Sequence, residues 1–266
     1  MSFLRTLSGR RELLANLVSR ELKSRYKGSL LGFLWSILTP LLMAIIYVFF
    51  LRLLAGRGVP TEEIIIGVFA WQFTALSVSG GLTSITGNSN LVKKVFFPRI
   101  ILPTANTLAN LVNFLLSLLV QFVIVAVLLH VRGASMSGWL LLLPVVVLYH
   151  TIFNLAIALL LSSSNVYFRD TQHLVGVLLS AWFFVSPVMY NLSFVERFAG
   201  KAPWVMDLYL LNPMAVIITA YRAITLPGAV FPWTVSSIIG LAIPLVLFAV
   251  ACAVFERAQR FFADML

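Results

Sequence analysis

The chain is poor in the residues that do chemistry. Cys252 is its single cysteine among 266 residues, which excludes a disulfide framework and a Cys-based metal site. Its 9 acids and 3 histidines supply few proton carriers, and none of the acids lies deep in an apolar run. Ion-coupled carriers use intramembrane carboxylates to move protons or hold sodium, so that class is disfavoured. His150 and Asn154, spaced i, i+4, are a weak substitute and read as glue between helices rather than as a proton site. No G-x-x-x-x-G-K-[ST] string occurs, so the chain does not hold ATP in a P-loop. H-E-x-x-H and G-x-S-x-G are also missing, and with them the familiar metalloprotease and hydrolase sites. No catalytic residue, metal site or cofactor of its own is expected. If the protein moves something uphill, the energy comes from another chain.

Charge is scarce too. Charged residues make up 11% of the chain, against about 25% in soluble domains. Hydrophobic residues make up 61% and the mean hydropathy is +1.00. This is the composition of an all-α integral membrane protein, because a helix satisfies its own backbone in lipid. The net charge of +10 is distributed by loop, so it implies a membrane orientation and not a nucleic-acid partner.

Six spans are expected, at about Leu30–Leu54, Ile64–Leu82, Pro103–Leu129, Trp139–Leu161, His173–Tyr190 and Thr234–Val254. Pro40 lies inside the first and Pro144 inside the fourth. The second is the least apolar, and its Gly80–Gly81 pair permits close helix contact. In the third, Asn106, Asn110, Asn113 and Ser117 share one face, which must meet other helices or a wet cavity. Ala55–Glu63 is a short turn, and Arg52 marks the outer end of the first span. Residues 191–233, rich in proline and including Lys201 and Pro203, read as two short helices dipping into the outer leaflet. A seventh crossing at Leu208–Ile224 is the alternative, and it would put the tail outside. With six spans, thirteen of the nineteen Lys and Arg fall on the side of the termini, so both termini are expected in the cytoplasm.

Residues 1–29 carry no signal-peptide pattern. They read as an amphipathic helix in the inner interface, with Leu13, Leu14, Leu17, Val18 and Leu22 on one side and basic residues toward anionic lipid headgroups. Glu21 and Arg25 intrude on the apolar side at i, i+4 and are placed to pair. Between the second and third spans, Asn88–Pro103 (NSNLVKKVFFPRIILP) carries Lys93, Lys94 and Arg99 with no acid. It is either an ordinary positive-inside loop with interfacial aromatics or a segment whose Phe96–Phe97 pair lies at the membrane surface or docks into a groove on a partner. The string SSSNVYFRD makes a second break on the same side.

Four strings, ELKSRYKGSLLGFLWSILTPL, NSNLVKKVFFPRIILP, NVYFRDTQHL and LNPMAVIITAYR, occur in register across essentially the whole chain. They resemble the permeases of ABC-2-type polysaccharide exporters, the O-antigen, capsule and teichoic acid group. The resemblance implies a homodimer in the bacterial inner membrane, joined by two copies of a separate ATPase that binds ATP and Mg. It implies six spans (residues 30–266), an interface helix and two re-entrant helices in 191–233. It also implies that loops 85–102 and 162–172 couple to the ATPase, through Lys93, Lys94, Phe96, Phe97, Arg99, Tyr167, Arg169 and Asp170. Its implied substrate head is a polyprenyl diphosphate carrying a glycan. A drug or small-lipid exporter of the broader group would share the span count but fewer of these strings.

A diphosphate calls for Arg forks and Lys point charges. Arg20, Lys23, Arg25 and Lys27 lie where the interface helix meets the first span, and they serve equally to bind anionic phospholipid. A sliding glycan calls for weak, repeated contacts rather than fixed charges. The aromatics of the acid-free first and fifth spans, Tyr47, Phe50, Trp182, Phe183 and Tyr190, are as a set the candidates for lining the path. They do not share one stripe, so some must face lipid or core, and each serves equally as an interfacial belt or packing residue.

Overall fold

The computed structural model describes residues 3–55, 60–200, 202 and 204–266. Gly56, Gly58, Lys201, Pro203 and the side chain of Arg52 lie outside the described residues. All regular structure among the described residues is helical. In chain order the helices are α1 (Phe3–Ser8), α2 (Arg11–Tyr26), α3 (Trp35–Ala55), α4 (Thr61–Thr83), α5 (Ser89–Lys94), α6 (Ile101–Val131), α7 (Leu143–Tyr167), α8 (Thr171–Val185), α9 (Leu192–Ala199), α10 (Trp204–Leu210), α11 (Pro213–Thr225), α12 (Val235–Ala258) and α13 (Phe262–Met265).

Four helical runs are long and apolar enough to cross a bilayer: α4, α6, Gly138–Tyr167 and the run beginning at Val235. The count is up to five if α10 and α11 form one broken span. The sequence leads to six. The difference lies in α3, whose apolar stretch is Trp35–Phe50, and in α8. With 15 residues, α8 is about 22 Å long, short of the ~30 Å hydrocarbon core. It ends at Val185, before the expected Tyr190, because Pro187 holds Ser186 in extended backbone (φ −101°, ψ 148°).

Other ends follow from local chemistry. Pro144 falls in the first turn of α7 rather than mid-helix, because Gly138–Leu142 forms a separate 3-10 turn. A first-turn proline loses no hydrogen bond. Leu208–Ile224 is not one straight helix: α10 and α11 meet at 85°. At the bend, Asn212 caps α11 by accepting from Met214 N at 3.1 Å. The same amide oxygen accepts from Trp182 Nε1 at 2.9 Å, and the amide nitrogen donates to Ser186 Oγ at 3.1 Å. The bend is thereby tied to the end of α8.

The least apolar span is also the most enclosed. α4 packs on α3, α6 and α7, and α7 packs in turn on α12. Gly80 and Gly81 serve two neighbours: Gly80 lies under the Asn106 side chain of α6, and Gly81 lies against Ala158 of α7. At the centre, Thr74 Oγ1 is 2.7 Å from His150 Nε2, and the Tyr221 hydroxyl is 3.4 Å from His150 Nδ1. His150 therefore joins α4, α7 and α11 within the core.

Candidate substrate path and coupling face

One end of the bundle carries α2, α5, α13 and the turns 95–100 and 168–170, and is referred to here as the basic end. A buried cluster of Leu17, Val92, Phe97, Ile100, Phe255 and Phe262 holds it together. In each turn, two adjacent aromatics point opposite ways. Phe96 is fully exposed, whereas Phe97 is 9% exposed and belongs to the cluster. Phe168 is 72% exposed, whereas the Tyr167 hydroxyl donates to Ala258 O at 3.0 Å and its ring meets Phe262 edge-on. Lys93, Lys94, Arg169 and Asp170 are exposed. Arg99 turns back and donates to Gln259 O. Both turns thus grip adjacent carbonyls at the end of α12. Phe168 is a residue that sequence reasoning missed. The signal was available, since an aromatic beside charged residues in a short turn is the pattern of Phe96.

The four basic residues assigned to a lipid headgroup divide. Arg20, Lys23 and Lys27 line a shallow recess on the outside of α2. Arg20 also donates to Asn88 Oδ1 at 2.6 Å, tying α2 to the start of α5. Glu21 sits 3.4 Å from Arg20. Arg25 turns inward, and its Nη1 donates to Asn110 Oδ1 of α6 at 2.5 Å. That contact brings an interface-helix cation onto the amide face of α6. Asn106, Asn110, Asn113 and Ser117 are all buried there, and Asn110 Nδ2 donates to Asn106 Oδ1 at 3.0 Å. Arg25, Gln72, Asn110, Asn113 and Ser117 border a cavity of about 210 Å³ between α2, α3, α4 and α6.

Next to it, an open groove of about 720 Å³ runs between α3, α4 and α8. Of the five aromatics expected on the path, Tyr47, Phe50 and Phe183 line it. Trp182 lies behind, stacked edge-on with Trp71 at 5.6 Å and bonded to Asn212. Tyr190 belongs to the far end, where it donates to Phe184 O at 2.8 Å and accepts from the Tyr209 hydroxyl at 3.2 Å. Trp71, Gln72 and Phe184 join the groove instead. The groove has no Asp, Glu, Lys or Arg in its lining, and it shares Thr39 and Gln72 with the polar cavity.

The end opposite the basic end is locked by Arg222. This buried guanidinium donates to Glu63 O at 2.9 Å, Pro187 O at 2.7 Å and Tyr190 O at 2.8 Å. It therefore pins α11 to the start of α4 and to the turn after α8. Nearby, Arg132 pairs with the buried Glu62 at 2.5 Å.

Apolar helices of spanning length, joined by short turns with a basic end, define a multi-pass membrane protein. Residues 12–226 match the model of the ABC-2 type transporter family, and the chain belongs to that family. It is 36% identical over 267 residues to the O-antigen export system permease protein RfbA of Myxococcus xanthus, covering 96% of each chain. Two proteins of the same name from Klebsiella pneumoniae are 30% and 31% identical over 258 residues, covering 96% of this chain and 95% of theirs. As in other ABC-2 permeases, the chain is a transport subunit.

Proposed function

We propose that this chain is the permease subunit of an ATP-driven exporter that carries an O-antigen-type polysaccharide, linked to a polyprenyl diphosphate, across the bacterial cytoplasmic membrane. The shared name of relatives matching nearly end to end supports the substrate class. The observation that carries the reading is the groove: aromatic rings without charges, opening beside a polar cavity that holds a basic side chain. Rings stack on sugar faces without fixing a site, whereas ionic contacts would stall a polymer.

In this reading the basic end faces the cytoplasm, with both termini, which the excess of Lys and Arg on that side supports. α3, α4, α6, α7, α8 and α12 make six crossings, with α10 and α11 re-entrant. Two copies associate so that their grooves face one another, and two ATPase subunits bind ATP and Mg beneath the exposed Phe96 and Phe168. Movement of those turns reaches α12 through the Arg99 and Tyr167 contacts, and reaches α2 through Arg20 and Asn88.

Deletion of the gene tests the reading. Surface polysaccharide should vanish while lipid-linked glycan accumulates on the cytoplasmic side, and the wild-type chain should restore export only together with its ATPase. Normal surface polysaccharide in the deletion strain would remove the assignment.

A further inference from the structure

The polar cavity at Arg25 is more selective in its chemistry than a diphosphate requires. An ionised diphosphate offers only acceptors, so a site made for it needs only donors. Arg25 is such a donor. Asn113 differs: it is 4% exposed, and its Oδ1 is buried without a hydrogen-bond partner. Its neighbours do not supply one, since Asn110 Nδ2 is directed to Asn106 and the Ser117 hydroxyl bonds to the carbonyls of Ser36 and Asn113. A buried acceptor left unpaired is destabilising, so this position calls for a ligand that brings a donor. A hydroxyl both donates and accepts, and so suits an acceptor and a guanidinium in one cavity.

Size and shape narrow the ligand. At about 210 Å³ the cavity lies below the ~300 Å³ at which drug-sized pockets begin. It has room for one ring and not for a chain. Phe114 and Trp35 add apolar ring surface to the lining, suited to the C–H groups of a pyranose. Thr39 and Gln72 line both the cavity and the aromatic groove, so the two adjoin, and a ring seated here would place the next residues of a chain toward Tyr47 and Phe50.

We propose that the cavity bounded by Arg25, Gln72, Asn110 and Asn113 is a subsite for a single sugar ring, the first residue of the glycan beside its lipid diphosphate. It is thus a point at which the exporter distinguishes a glycosylated lipid from a bare one. This rests on the exporter reading above.

The test uses the permease with its ATPase in lipid nanodiscs. The probes are a polyprenyl diphosphate, either bare or carrying one hexose or one N-acetylhexosamine, and equilibrium binding is measured. Wild type should bind at least one of the sugar-bearing lipids about tenfold more tightly than the bare lipid, the size of one or two hydrogen bonds. Asn113→Leu and Gln72→Leu, each checked for an unchanged melting temperature, should bring that ratio to about one. Either variant suffices if the other fails to fold. Equal binding of bare and sugar-bearing lipids by wild type would overturn the subsite and leave the exporter reading standing, as would a preference that survives both substitutions. Failure of every diphosphate lipid to bind would remove the exporter reading, and the subsite with it.

Discussion

Two neighbouring phenylalanines show how little an identical side chain settles. Phe96 and Phe97 share a turn and a composition, yet one projects into solvent and the other closes a core. Their substitutions should separate cleanly. Phe97→Ala should cost about 3–5 kcal/mol, as for a buried aromatic, read as a fall in the melting temperature of the purified permease. Phe96→Ala should leave that temperature within experimental error, since an exposed substitution is worth about 0.5 kcal/mol or less. It should weaken ATPase co-purification by about 2 kcal/mol, roughly thirtyfold, as for an interface anchor. Equal effects of both variants on stability would contradict the opposite facing of the two rings. The basic, aromatic character of the turn was legible in the string NSNLVKKVFFPRIILP. Which ring faces out was not, because Phe97 is held by Phe255, Phe262 and other residues from distant parts of the chain. The same holds for Arg25. The wheel places it i, i+4 from Glu21, whereas its bond to Asn110 comes from α6, beyond the reach of any local pattern.

At the scale of elements, the α6 amide face was readable because its spacing is local and helical. The brevity of α8 was not, because its end is fixed by Pro187 together with the Asn212 amide of a segment about 25 residues further on. The α4–α7 contact gives a direct check. A methyl group at position 81 would run into Ala158, whereas one at Gly87 would meet open space. Gly81→Ala should therefore destabilise by about 1–3 kcal/mol, as overpacking does, with Gly87→Ala near neutral in the same melting assay. If both are neutral, the two helices are not in contact at this point. The gripping of the α12 end is a second check. Tyr167→Phe keeps the ring beside Phe262 and removes only the bond to Ala258 O, so the loss should be about 1 kcal/mol. If the turn drives α12 through that bond, export should fall while ATPase co-purification is retained. Unchanged export at normal protein level would show that the bond carries no movement.

The whole molecule separates into a basic end with exposed Phe96 and Phe168, a core closed around His150 and Tyr221, and an open groove on one side. Composition identified the membrane and the aromatics. Which aromatics share a surface depends on how α3, α4 and α8 meet, and no periodicity within a single span contains that. Cysteine accessibility distinguishes the outcomes. On a background in which Cys252 is replaced, Cys at Tyr47, Phe50 and Phe183 should react with a membrane-impermeant thiol reagent while the assembled exporter turns over. Cys at Trp182 should be protected, because that ring is covered by Trp71 and Phe153. The contrast matters more than the absolute rates. Lipid facing the groove would protect all three groove positions equally, whereas a passage filled with water and sugar exposes them and leaves the ring behind them dry. Reaction at Trp182 with protection at Tyr47, Phe50 and Phe183, in a complex verified as exporting, would move the passage off this groove and onto another face of the bundle.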